Sequence, residues 1–140
     1  STQPNTLFPY TTLFRSYCLF VETDTRSRAL VRRNVEAFGL TGVTRLFRRD
    51  ASDLGEVGTM EPFDIAFLDP PYGLGLGEAA LASLADGDWL RPGAVAILEE
   101  RAGTALTLPQ GFSQIDLRTW GDTQVSFLAW QAPAEAGASA

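Results

Sequence analysis

The chain has 140 residues, 45% of them hydrophobic and 20% charged, with a formal net charge of −6. That length is one domain's worth and can bury a sizeable core. One cysteine, Cys18, and no histidine exclude an internal disulfide, the usual zinc ligand sets and every Ser-His or Cys-His nucleophile pair. No apolar run approaches the roughly eighteen residues of a membrane span. The start has no basic n-region followed by an apolar stretch and a cleavage site, so a cytoplasmic location is expected.

Charge is placed unevenly. Seven arginines face three acids between Tyr17 and Arg49, whereas three arginines face fourteen acids from Asp50 onward. All eleven basic residues are Arg, the mark of a GC-rich coding bias. The net negative charge argues against strong non-specific nucleic-acid binding by this chain alone. The arginine-rich stretch from Arg26 to Arg49 reads first as a solvated face.

The first segment, "TLFPYTTLFRS" (Thr6 to Ser16), is out of character with the rest, with three aromatics, three threonines and a mid-run proline. Its back-translation resembles a widely used short-read sequencing adapter. Residues 1–16 are therefore expected to be a non-native segment joined to a gene fragment. "YCLFVE" (Tyr17 to Glu22) is a short apolar run ending in an acid, the pattern of a buried parallel strand. In "DTRSRALVRRNVEAFG", Val31, Val35 and Phe38 recur at helical spacing. Asp24 or Thr25 is available as the N-cap and Gly39 as the stop.

"VTRLFRRD" (Val43 to Asp50) alternates and predicts a second strand, again ending in an acid. "FDIAFLD" (Phe63 to Asp69) predicts a third. "GEAALASLA" (Gly77 to Ala85) predicts a short helix, "WLRPG" a loop, and "AVAILEE" (Ala94 to Glu100) a fourth strand. "FSQIDLRTW" and "TQVSFLAW" flank Gly121-Asp122, which predicts an antiparallel hairpin with a tight turn. The small, polar tail from residue 131 to 140 is expected to be disordered. Strands alternating with helices predict an α/β domain with a mainly parallel sheet.

Ligands of such sheets bind beyond the carboxyl ends of the strands. Glu22, Asp50 and Asp69 fall at that edge. A carboxylate after one strand can accept from both ribose hydroxyls, and one after the next can accept from an adenine amino group. A single acid there is commonplace as a cap. Three in succession point to a nucleoside site.

The sharpest signal is "DPPY", Asp69-Pro70-Pro71-Tyr72. The prolines fix their own φ and push the residues before them out of helical geometry, so the chain leaves the strand as a stiff extended corner. Neither proline carries an N–H. The Asp69 carboxylate and the Pro70 carbonyl can converge on one planar NH2 group, with the Tyr72 ring available for stacking the same base. A loop punctuator would also contain Pro-Pro. It would not call for an acid at its start, an aromatic at its end and an apolar strand before it.

"FLDPPYGLGLGEAALASLADGDWLRPGAVAILEE" together with "RTWGDTQVSFL" resembles the RsmD family, bacterial methyltransferases acting on a guanine N2 of 16S ribosomal RNA in the small subunit. The resemblance covers Tyr17 to about Trp130. It implies a Rossmann-like class I S-adenosylmethionine-dependent methyltransferase sheet with a C-terminal antiparallel hairpin. It also implies a monomer that meets the small ribosomal subunit or its assembly intermediate, with no metal and no membrane. By resemblance, Glu22 holds the ribose of S-adenosyl-L-methionine, Asp50 and the backbone near Ala51 hold its adenine, and Asp69, Pro70, Pro71 and Tyr72 hold the target amine. A related enzyme acting on adenine or DNA, and a non-catalytic nucleotide- or RNA-binding module, stay open as alternatives.

The departure from the family is at the front. No G-x-G-x-x-G precedes Tyr17, and "GLGLG" (Gly73 to Gly77) follows the DPPY, in the wrong place for a cofactor turn. The resemblance puts the sheet's first and central strand ahead of Tyr17. The expectation is a partial domain over 17–130 that lacks this strand and does not turn over as written.

Overall fold

The structure is a computed structural model describing residues 16–134. Most of the Thr6–Ser16 segment and most of the tail lie outside the described residues. The chain divides into two compact units, with the boundary between Asp50 and Ala51.

In the first unit, β1 (Cys18–Val21) pairs in parallel with β2 (Thr44–Phe47), in the register Val21↔Phe47. Between them runs α1 (Thr25–Ala37). Asp24 is the N-cap, its carboxylate accepting from the Ser27 N–H at 2.8 Å. That answers one orphan donor of the first turn. Val31 and Val35 are half-buried as their spacing predicts. Phe38, the third member of that stripe, is instead the C-cap and 75% exposed. The strand expected over Val43–Asp50 ends at Phe47, because a 3₁₀ turn (Thr41–Val43) takes its start and Arg48–Asp50 leave the ladder.

The second unit is a four-stranded sheet in the order β3-β4-β6-β5, made from β3 (Phe63–Leu68), β4 (Leu90–Arg101), β5 (Phe112–Trp120) and β6 (Thr123–Trp130). β3 and β4 are parallel, joined through α2 (Leu76–Asp86), and the other pairings are antiparallel. The hairpin forms as expected, Trp120 opposite Thr123. Its two-residue turn has positive φ at Gly121 alone, +56°, the position where a type II′ turn requires glycine.

"WLRPG" is not a separate loop. β4 begins at Leu90, but its register jumps from Phe63↔Leu90 to Ile65↔Val95. Pro92 has no N–H to give the ladder and Gly93 takes φ +82°, so these residues bulge out and the strand resumes at Ala94.

Alternation along β4 and β6 buries one side of the sheet. Ala94, Ala96, Leu98 and Leu128 meet Leu81 of α2, with Phe112 and Trp130 closing the far end. Gly77 is where the helix comes closest, since a Cβ there would stand 2.6 Å from Leu98 Cδ1. Trp89 fastens the segment after the unit boundary to this core. It is 1% exposed, donates from Nε1 to the Gly55 carbonyl at 2.8 Å and stacks on Phe63. Leu54 N–H donating to Ser83 Oγ at 2.8 Å completes the attachment.

Candidate functional site at the edge of the parallel strands

In the first unit, Glu22 follows β1 directly and keeps its backbone in the ladder, its N–H donating to the Phe47 carbonyl at 3.0 Å. Its Oε2 turns back to accept from the N–H groups of Thr23 at 2.8 Å and Asp24 at 3.2 Å. A carboxylate has about four acceptor positions, so Oε1 retains the capacity a ribose diol needs. Asp50 stands three residues beyond β2, exposed, at the same C-terminal edge as Glu22. Arg45 and Arg49 place their guanidinium carbons 4.9 and 4.4 Å from the Phe47 ring centroid. Two arginines of the basic stretch are thus stacked on a ring.

In the second unit, Asp69 follows β3 where Leu68 pairs with Leu98. Parallel register sets Glu99 beside Asp69. Their carboxyl groups are hydrogen-bonded, and this contact holds Glu99 above the ordinary glutamate value, with burial and Asp69's charge adding to the rise and a hydrogen bond from Tyr72 opposing it. Two adjacent carboxyl groups can together accept from an NH2 group and take up the proton it sheds.

The corner itself is held from behind. Glu100 is 2% exposed. Its Oε1 accepts from the Gly73 N–H at 3.0 Å and from the Arg101 N–H at 2.9 Å. Gly73 is the residue after Tyr72, so a buried charge fixes the exit of the corner to the end of β4. Tyr72 is tied as well, its hydroxyl 3.1 Å from Thr123 Oγ1. The next turn sets Gly73 and Gly75 at φ +78° and +69°, conformations that cost an L-residue about 1–2 kcal/mol. "GLGLG" is thereby a connection from the corner into α2. Ala51 is exposed at the start of this unit.

Glu99 and Glu100 were not among the expected site residues. The signal was present: "AVAILEE" is a fourth apolar strand ending in acids. Parity then separates their roles, since Glu100 shares the buried side with Leu98 while Glu99 stands on the other.

The family profile described as Conserved hypothetical protein 95 matches residues 15–129. Over 59 residues the chain is 34% identical to ribosomal RNA small subunit methyltransferase D of Haemophilus influenzae, a match spanning 42% of this chain and 31% of that relative. A crystal structure from H. influenzae assigned as a methylase superposes with TM-score 0.71 at 22% identity, covering 91% of this chain and 93% of the other. The 16S rRNA N2 methyltransferase RsmC of T. thermophilus, solved with AdoMet and guanosine, superposes with TM-score 0.58 at 20% identity, over 82% of this chain and 32% of that one. These likenesses show the fold, a Rossmann-like class I methyltransferase. With the profile covering most of its length and this fold beneath it, the chain belongs to the Conserved hypothetical protein 95 family, the RsmD family.

Proposed function

We infer that this chain is the core of an S-adenosylmethionine-dependent methyltransferase acting on the exocyclic N2 amine of a guanine in 16S rRNA, and that it is cytoplasmic and monomeric. The observation that carries the reading is the Asp69-Pro70-Pro71-Tyr72 corner, fixed at a strand's C-terminal edge by Glu100 and Thr123. When bound, S-adenosylmethionine supplies an electrophilic methyl group. The chain's own work is positioning.

An exocyclic guanine amine is a weak nucleophile because its lone pair is delocalised into the ring. Asp69 Oδ and the Pro70 carbonyl accept its two protons, orient the nitrogen and favour its rehybridisation. The ring of Tyr72 stacks the base. The Asp69–Glu99 pair receives the proton released as the nitrogen becomes alkylated. Orientation of this kind and fixed acceptors are the large terms in such a step, and the target base must be unpaired or flipped out to present N2. Glu22 Oε1 and Asp50 of the first unit take the ribose hydroxyls and the adenine respectively, and the backbone of Ala51, the next residue along the chain, takes the same adenine. Residues 1–16 hold no counterpart of the family's glycine-rich turn, so we propose that turnover needs a strand and turn ahead of Tyr17.

The test compares the chain as written with one carrying a family strand and glycine-rich turn ahead of Tyr17. Each is given labelled S-adenosylmethionine and unmodified small subunits, and the methylated atom is located by mass spectrometry. Methyl on guanine N2 is expected for the completed chain. Asp69→Ala should remove about 10²-fold or more of kcat with cofactor affinity retained, and Glu22→Ala should weaken cofactor binding instead. Methylation of adenine or of DNA, or equal loss of cofactor affinity in both variants, contradicts the assignment.

A further inference from the structure

Beside the DPPY corner lies a feature that the reaction above does not use. Trp120 is 62% exposed at the end of β5, whereas Trp89 and Trp130 are 1% and 6% exposed. Its cross-strand partner is Thr123, the residue whose hydroxyl meets Tyr72 OH at 3.1 Å. Paired residues on antiparallel strands hold their Cβ atoms roughly 4.5–5.5 Å apart on one side of the sheet. The indole therefore stands one residue away from the anchor of the Tyr72 ring.

Strand parity adds cations to this aromatic pair. Arg118 lies two residues before Trp120 on the same side, and Arg101 is Thr123's partner on β4. From Asp50 onward only three arginines face fourteen acids. Arg91 is engaged with Glu61 and Asp64, and the other two stand here. Arg118 meets Asp116 through Nε, at 2.9 Å. Acids are present too: Asp116, Glu99 and, in the turn, Asp122. Attraction is thus local to the guanidinium groups, which suits a short contact to an unstacked nucleotide better than a long electrostatic track.

We propose that Trp120, with Arg118 and Arg101, is a second nucleobase site: it stacks an unpaired base of RNA next to the base presented to Asp69–Tyr72. That the strand is the methylated RNA rests on the function proposed above. Stacking on Trp120 does not.

The experiment titrates a short, dye-labelled single-stranded oligoadenylate RNA with the chain and reads affinity from the label's anisotropy in every variant. In the parent, tryptophan emission, in which Trp120 is the exposed contributor, is followed as well. Saturable quenching is expected. Trp120→Ala should weaken binding about five- to 150-fold, the range for losing one base–aromatic stack, and Trp120→Phe should restore most of it. Arg118→Ala should weaken binding and lower the salt slope by about one. In the chain completed ahead of Tyr17, Glu22→Ala should weaken cofactor binding and methyl transfer while leaving this RNA binding unchanged, so the site and the reaction fail separately. Unchanged affinity in Trp120→Ala overturns the proposal. So does RNA-independent quenching that grows with protein concentration, because a second copy of the chain would then be what covers the indole.

Discussion

Replacing Glu100 tests whether one buried carboxylate holds the DPPY corner in place. Its Oε1 serves two backbone donors, Gly73 at 3.0 Å and Arg101 at 2.9 Å, and the side chain is almost wholly removed from water. Glu100→Ala leaves both donors without their acceptor, at about 1–3 kcal/mol each. Against that stands the relief of no longer desolvating a charge, so the net loss should be about 2–4 kcal/mol. At roughly 4–8 °C per kcal/mol for a unit of this size, Tm should fall by on the order of 10 °C or more. Glu100→Gln keeps a neutral acceptor in the same place, and charge-assisted bonds are roughly twice as strong as neutral ones. It should lose about 1–2 kcal/mol. The direct assay is hydrogen exchange at the Gly73 amide, which should quicken about 10- to 150-fold in the alanine variant as its charge-assisted bond of about 1.5–3 kcal/mol is lost. Unchanged Gly73 protection would refute the reasoning. So would a glutamine variant as damaged as the alanine one, which would make the charge, and not the two hydrogen bonds, the quantity that matters.

Two further outcomes follow from the same unit. The contact with Asp69 raises Glu99 above its ordinary value of 4.5, so the folded state favours the protonated form. Its contribution is complete below the unfolded value and is lost as pH rises through the raised one. Glu99→Gln should therefore match the parent Tm near about pH 4 and exceed it at about pH 7, and a gap that does not widen with pH would contradict the pairing. Ser126 is fully buried on β6, and its hydroxyl has no hydrogen-bond partner among the described residues. Ser126→Ala should be neutral or gain up to about 1 kcal/mol in urea unfolding, and a clear loss would mean that the hydroxyl has a partner after all.

Local sequence determined the kind of each element. "YCLFVE" and "FDIAFLD" had to be strands because apolar and β-branched residues dominate them. The burial expected of them is not found: no residue of β1 or β3 is fully buried, and Ile65 and Phe67 are 53% and 78% exposed. Asp24 or Thr25 had to start α1, and Gly121-Asp122 had to turn a hairpin, because each rule concerns atoms only a few residues apart; the structure chose Asp24. The DPPY corner was legible for the same reason: its stiffness is a property of two proline rings. What local pattern could not supply was register. Phe38 obeys the helical spacing yet caps the helix in the open, and Asp50 lies past the end of β2, not on it. "WLRPG" reads as a loop because its punctuation is real, but β4 resumes the same ladder on the other side of the bulge. Register also decided which acids matter together. Pairing of Leu68 with Leu98 brings Asp69 to Glu99 across thirty residues of chain, and strand parity turns Glu100 inward to the Gly73 amide while Glu99 faces out. Neighbours so distant in sequence are chosen by hydrogen-bond pairing and side-chain volume, and those are settled only when the strands and α2 pack together.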